Sequence, residues 1–274
     1  MQKLRSLALG ASACAALFLG SASASADGYV RGGVNNLAPA RCANFNGFYV
    51  GAHGGWTYYS NEWKDLDNYG FNFTFQDHIG DGSLTANSWH GGVQGGYNLQ
   101  RGCTLFGVQA DWSWTNAEAN ASYTDFPTPP AGTLAVESRI KSYGTVRART
   151  GLVVDNLLLY LTGGVAFADF DRDFIYVAPT PGATGRTQIY SSDGTSVGFV
   201  AGAGTEWNIG GGWSLASEFL YMGFDKDKHT YTCSTPGGFG VGTCLTAAAA
   251  GTHPFRYEFS DTMWSTRLGL NFRW

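Results

Sequence analysis

Five histidines, His53, His78, His90, His229 and His253, are the side chains best suited to bind a metal or move a proton near neutral pH. A zinc protease would set two of them four residues apart around a glutamate. A serine hydrolase would combine one with a nucleophile and an acid. Neither arrangement occurs. His78, His229 and His253 fall in long connecting segments, whereas His53 and His90 lie on the polar side of alternating stretches, where hydrogen bonding is the expected role. Gly202 and Gly204 lack the following helix that a nucleotide-binding turn requires. No catalytic residue, metal site or cofactor is expected.

Beyond the first 26 residues the cysteines are Cys42, Cys103, Cys233 and Cys244, with no CxxC pair and no Cys/His cluster to suggest zinc. Four cysteines allow three pairings. Cys233 and Cys244 lie close together in one Gly/Thr/Pro-rich segment, so local closure is the simplest solution. That leaves Cys42 for Cys103.

A third group is charged. Asp111, Glu206 and Glu218 stand against Arg147, Arg149, Arg267 and Arg273, all interleaved with apolar residues. Buried charges need partners. Asp111 is expected to face Arg147 or Arg149, and Glu218 to face Arg267, with Glu206 one strand further back. Such a set could line a polar channel; in a narrow interior it is expected instead to fill the space with ion pairs. Removing Arg267 would then leave Glu218 and Glu206 as like-charged neighbours.

These residues must be held by strands. In the last segment Trp264, Thr266, Leu268, Leu270, Phe272 and Trp274 alternate with Ser265, Arg267, Gly269, Asn271 and Arg273. A period of two over ten residues is a strand between two opposed environments. The pattern recurs, giving eight expected strands at roughly 45–57, 88–100, 104–118, 139–154, 157–170, 196–209, 213–224 and 256–274. The facing of 157–170 stays open. Short links alternate with long ones over 58–87, 119–138, 171–195 and 225–255, whose aromatic residues are expected to pack loop on loop and whose carboxylates are expected to bridge through divalent cations to lipopolysaccharide. Sorted links, even strand number and apolar outer faces describe an outer-membrane β-barrel with short periplasmic turns and long extracellular loops. A soluble sandwich has no reason to sort its loops. Glycines inside strands, such as Gly91, Gly92, Gly95, Gly96, Gly163 and Gly164, suit a small, sharply curved barrel and are expected to mark bends or bulges.

Composition agrees. Charged residues are 14% of the 274, aromatic residues 15%, and glycine occurs 39 times, with a formal net charge of −4. Too many aromatics argue against disorder, and an acidic chain with few lysines lacks the basic face of a nucleic-acid binder. Residues 1–26 read as a cleaved Sec-type signal peptide, with Lys3 and Arg5 before a short apolar run and Ala24 and Ala26 at the cleavage site. Residues 27–44 read as a periplasmic segment and 45–274 as the barrel.

The stretch from Asn46-Gly47-Phe48-Tyr49-Val50-Gly51 to Trp56, then Gly91-Gly92-Val93-Gln94-Gly95-Gly96-Tyr97-Asn98, resembles the alphaproteobacterial outer-membrane immunogenic protein family. Val108-Gln109-Ala110-Asp111-Trp112, Tyr160-Leu161-Thr162-Gly163-Gly164-Val165-Ala166 and Leu268-Gly269-Leu270-Asn271-Phe272 are similar to its strand motifs, and the likeness spans essentially the whole mature chain. The resemblance implies an OmpA-like, eight-stranded barrel of the porin superfamily, located in the outer membrane as a surface antigen. Some relatives are linked to haemin binding and others are called porins; none offers a catalytic motif to carry over. This chain departs in its long fourth loop with Cys233 and Cys244. The expected role is a structural envelope barrel with a filled lumen, the alternative being a small-solute porin or a haemin- or ligand-binding receptor. Expected partners are outer-membrane lipid, lipopolysaccharide and the barrel-assembly machinery. The stripe Leu268, Leu270, Phe272 and Trp274 is expected to be the assembly signal.

Overall fold

Alternating strands with an apolar side on each must either stack two sheets or close one upon itself, and here the sheet closes. A computed structural model describes residues 42–66, 81–124, 133–177, 187–232 and 254–274. Nine strands are assigned in order: β1 (Gly47–Asp65), β2 (Asp81–Arg101), β3 (Thr104–Thr124), β4 (Thr133–Val154), β5 (Leu157–Val177), β6 (Thr187–Gly210), β7 (Trp213–Phe224), β8 (Asp227–Thr232) and β9 (Pro254–Arg273). Each pairs antiparallel with its neighbour, and β9 returns to pair with β1. The short β8 continues the line of β7 along β9, so the barrel has eight staves. Cys233 and Cys244 lie outside the described residues, as do residues 1–41 and with them the expected signal peptide.

The two faces differ as the alternation demands. On β4, Val146 and Leu152 are 57% and 59% exposed, whereas Arg147 and Arg149 between them are 1% and 3% exposed. A water-soluble sandwich would reverse those figures. β5, whose facing the sequence left open, turns Leu159, Leu161 and Val165 outward and buries Leu158, Tyr160 and Ala166. The outward apolar run on β1 extends from Phe48 to Tyr58. At a strand rise of about 3.3 Å and a tilt near 40° that run is about 25 Å tall, the thickness of the apolar band of a membrane barrel. Aromatic pairs mark its borders, Trp56 with Trp89 at one and Trp213 with Phe272 at the other.

Most strands run further than the alternation suggested. β1 begins at Gly47 rather than 45, and at the long-loop end it continues to Asp65; β2, β3, β4, β5 and β6 lengthen at the same end. Beyond the apolar band the pattern changes phase. Tyr59 and Trp63, expected in a loop, are buried inside the barrel, while Glu62 and Lys64 face out. Tyr59, Trp63, Leu84, Ala86, Ala117, Ile140, Phe170, Phe259 and Met263 belong to an apolar core in this outer extension.

The extension is not closed. Pairing of β2 with β3 stops at His90 and Thr115, and pairing of β6 with β7 stops at Gly198 and Phe224. Among the described residues, then, the outer part divides into two sheets: the ends of β8, β9, β1 and β2 on one side, and those of β3, β4, β5 and β6 on the other.

The strand glycines answer the shortage of interior room expected in a narrow barrel more than they mark bulges. The ladder irregularities lie between Trp114 and Ala117, Ile140 and Ser142, and Asn208 and Gly210, so only one involves a glycine. Several inward glycines instead make room for large inner side chains. A Cβ on Gly92 would lie 2.6 Å from His53 Nε2, and one on Gly96 2.5 Å from the Tyr49 hydroxyl. Its neighbour Gly91 faces outward and would meet nothing closer than 3.9 Å. Gly92→Val should therefore destabilise the barrel by about 1–3 kcal/mol through overpacking, while Gly91→Val should be close to neutral. Urea unfolding of both variants refolded in detergent micelles measures this; equal losses would show that the inner face has slack.

Candidate functional site

The interior reads as a series of layers, set by which residues share a level across the ladders. At the short-turn end, residues 42–46 cross the mouth. Cys42 is disulfide-bonded to Cys103 in the β2–β3 turn, a link across 61 positions. By the chain-entropy relation such a loop contributes up to about 4 kcal/mol. The Ala43 amide donates to the Asp155 carbonyl at 2.7 Å, the Phe45 amide to Gln100 Oε1 at 2.6 Å, and Arg273 Nη1 to the Asn44 carbonyl at 3.1 Å. Phe45 is fully buried against Leu105, Val153, Leu158 and Tyr160. The segment thus ties the ends of β2, β4 and β9 together.

The seven charged residues form two units. Asp111 accepts from Arg147 at 2.8 Å and from Arg267 at 3.0 Å; Glu218 accepts from Arg147 at 2.8 Å and from Arg267 Nε at 2.7 Å. Both acids touch both arginines, so this square is neutral. It spans the lumen, because β3 and β4 lie opposite β7 and β9. Thr145 adds a hydrogen bond to Asp111 at 2.6 Å. The second unit is a triad in which Glu206 accepts from Arg149 at 3.1 Å and from Arg273 at 3.0 Å, and also from Ser214 and Asn271. Two arginines share one carboxylate, leaving one positive charge.

That excess is spread over aromatic faces and carbonyls. Arg149 lies over the rings of Tyr49 (4.6 Å) and Tyr160 (5.3 Å), and its Nε donates to Asn98 Oδ1 at 2.9 Å. Arg273 lies 4.8 Å over Phe45. The structure places Arg149 with Glu206 rather than Asp111, and separates Glu206 from Arg267. Loss of Arg267 would leave Asp111 and Glu218 sharing Arg147 with one excess negative charge, rather than setting Glu206 beside Glu218.

Between the square and the outer core lies a neutral layer. His53 Nε2 is 2.9 Å from Ser113 Oγ, His90 Nδ1 is 2.9 Å from Thr57 Oγ1, and Tyr143 bridges Thr57 (3.2 Å) to Ser265 (3.3 Å). The void bordered by His53, Gln94, Arg149 and Arg267 has a volume of about 10 Å³, room for about one water. In the outer core, Asp261 accepts from Arg172, from Tyr59 at 2.6 Å and from Asn61 at 2.6 Å, and Arg172 lies over the rings of Phe170 and Phe259. Outside the apolar band, the Lys226 ammonium hydrogen-bonds Glu258 at 2.6 Å and, with Lys228 and Lys64 nearby, holds its carboxyl below the usual carboxylate range.

Sequence reasoning missed Phe45 as a cork, Arg172 and Asp261 as a buried pair, and the amides of Gln94, Asn98 and Asn271. Asn98 and Asn271 were visible as polar members of alternating strands; Arg172 sat beyond the point where the lipid-facing pattern ended. Leu268, Leu270 and Phe272 on β9, and Trp274 just after its end, are exposed on the outer side.

Because Arg267 serves both acids of the square, Arg267→Met should cost about 3–5 kcal/mol. Arg273→Met leaves Glu206 with Arg149 and should cost clearly less. Urea midpoints of the two variants in micelles give the order; the reverse order would dissolve the division into square and triad.

Residues 11–272 match the family described as outer membrane protein beta-barrel domain. The 31 kDa outer-membrane immunogenic proteins of Brucella melitensis biotype 1 and Brucella suis biovar 1 are each 30% identical to this chain over 199 residues, covering 69% of it and 75% of theirs. Among solved structures, the outer membrane protein OprG of Pseudomonas aeruginosa aligns with a TM-score of 0.47 and 11% identity, over 86% of this chain and 99% of its own. The outer membrane protease OmpT of Escherichia coli aligns at 0.45 and 9%, over 83% and 97%.

Proposed function

This chain belongs to the outer membrane protein β-barrel family, and from that premise we propose that it is a closed surface barrel serving envelope structure and surface presentation, without enzymatic activity. One observation carries the reading: the square of ion pairs spans the lumen, and the void beside it, bordered by His53, Gln94, Arg149 and Arg267, holds about one water. An eight-stranded barrel has an interior about wide enough for its own side chains, whereas aqueous porins use about 16–18 strands. Here Arg147 and Arg267 reach across to the opposite wall, and Phe45 corks the periplasmic end. A small-solute porin would require both to move. His53 and His90 each hydrogen-bond through one ring nitrogen, to Ser113 and Thr57, and the void beside His53 holds about one water, far less than a haemin group needs.

Leu268, Leu270, Phe272 and Trp274 form the outward stripe of the strand that closes the barrel, so they are suited to be read by the insertion machinery before they meet lipid. Lipid and lipopolysaccharide are the surroundings that the outward face fits.

In a planar bilayer the refolded barrel should show no steady conductance of porin size; stable open channels from the monomer would overturn the closed-lumen reading. Deleting Trp274 should lower outer-membrane insertion in cells far more than refolding into detergent. An equal fall in both would reduce the stripe to packing alone.

A further inference from the structure

A barrel wall has no edges while all its ladders are closed, and this one opens above the apolar band. β1 and β2 stay paired out to Lys64 and Asp81, and β3 and β4 out to Thr124 and Thr133, but β2 and β3 separate beyond His90 and Thr115. Residues Asp81–Trp89 and Asn116–Thr124 therefore each keep one partner strand and turn a second backbone edge into the fork, unpaired among the described residues. The separation is built in. An extra residue lies in β3 between Trp114 and Ala117, and another in β4 between Ile140 and Ser142, at the level where the fork begins. Bulges bend strands and stop pairing. At the vertex, Thr115 Oγ1 and Ser88 Oγ both donate to the Trp89 carbonyl, at 3.1 and 3.0 Å, ending the ladder with side chains.

We propose that this fork is a strand-addition site, taking an extended polypeptide segment of a partner protein outside the cell. Free edges bind such segments through main-chain hydrogen bonds, with specificity from alternate side chains. The inner floor here is small and apolar, from Leu84, Ala86, Ala117 and Ala119, while Ser83, Thr85 and Asn120 face out. The fitting segment alternates small apolar with uncharged polar residues and has no proline in the paired run. Exposed edges are usually guarded by lysine, proline or inward charge. These two edges carry only Asp81 and Glu118, and Glu118 is tied to Arg139 at 2.8 Å. The opposite fork, between β6 and β8, is bridged: Ser196 Oγ donates to Asp227 at 2.6 Å and the Asp225 amide to the Val197 carbonyl at 3.0 Å. Of the two forks only the one between β2 and β3 is left unlatched among the described residues.

Residue-resolved amide hydrogen exchange on the refolded full chain in micelles tests this, with a capped peptide of alternating alanine or valine with threonine, flanked by lysines, as the probe. Alternate amides within 82–88 and 117–123 should exchange rapidly in the protein alone. Saturating peptide should slow those of at least one edge tenfold or more, while the same peptide with a central proline does nothing. Neighbouring amides point to opposite sides of a strand, so one of Asn120→Pro and Ala121→Pro removes only a fork-facing donor. Whichever variant stays folded by gel mobility should weaken the peptide's effect at the β3 edge. Slow exchange without peptide would mean that the chain's own segments already cover the edge, and would overturn the proposal. Unchanged exchange at millimolar peptide would do the same.

Discussion

Inside a bilayer no water is available to a backbone amide, so each N–H and C=O must find its partner within the protein. Everything else follows from that requirement. It forces β9 to return to β1, which fixes eight staves in a ring and hence a lumen about as wide as two opposing side chains. Side chains pointing into so narrow a space cannot be hydrated individually. They must hydrogen-bond to one another, and the middle of the lumen answers with carboxylates, guanidinium groups, amides and hydroxyls, while Leu105, Val153 and Leu158 pack around Phe45 at the short-turn end. The same requirement lapses where the apolar band ends, and there the ring opens into two sheets packed face to face.

Above that boundary the chain obeys the rules of a water-soluble domain. Apolar side chains move to the inside and Glu62 and Lys64 to the outside, within the same continuous strands, with Arg172 and Asp261 kept inside as a pair. Tyr59 and Met263 stand one level above Thr57 and Ser265, so the interior changes from polar to apolar within a single step along β1 and β9. Two folding logics thus share one backbone. The outer core gives the open sheets a reason to stay together without a continuous ladder, and the cross-sheet contacts of Tyr59 with Ser138 and of Arg172 with Asp261 add direction to that apolar packing.

Much of this was legible in the residues. Strict alternation in β9, with tryptophan at each end, gave the faces, and the short links Arg101-Gly102-Cys103 and Asp155-Asn156 gave the hairpins. Membrane-facing apolar residues announce themselves because nothing else alternates so regularly. What failed was the extent of the strands: outward apolar residues mark them in the sequence, and these stop at Tyr58 while the strand does not. Tyr59 and Trp63 then looked like loop aromatics. Pairing inside the lumen was only partly readable, since period two says which side chains point inward but not which meet across the ring. Asp111 to Arg267 and Arg147 to Glu218 are contacts between opposite walls, set by barrel diameter and stagger. Phe45 escaped for another reason: as an apolar residue next to a strand it read as more strand.

The triad of Arg149, Glu206 and Arg273 has a consequence beyond holding the wall together. Its net positive charge sits in a low-dielectric ring, where a field is poorly screened. A chain of water molecules that formed there during a fluctuation would meet an electrostatic barrier to hydronium, sodium or potassium, as the fixed positive ends in water channels present to cations. Any rare leakage through such a ring would therefore be sorted by sign, with cations held back more than anions or neutral solutes.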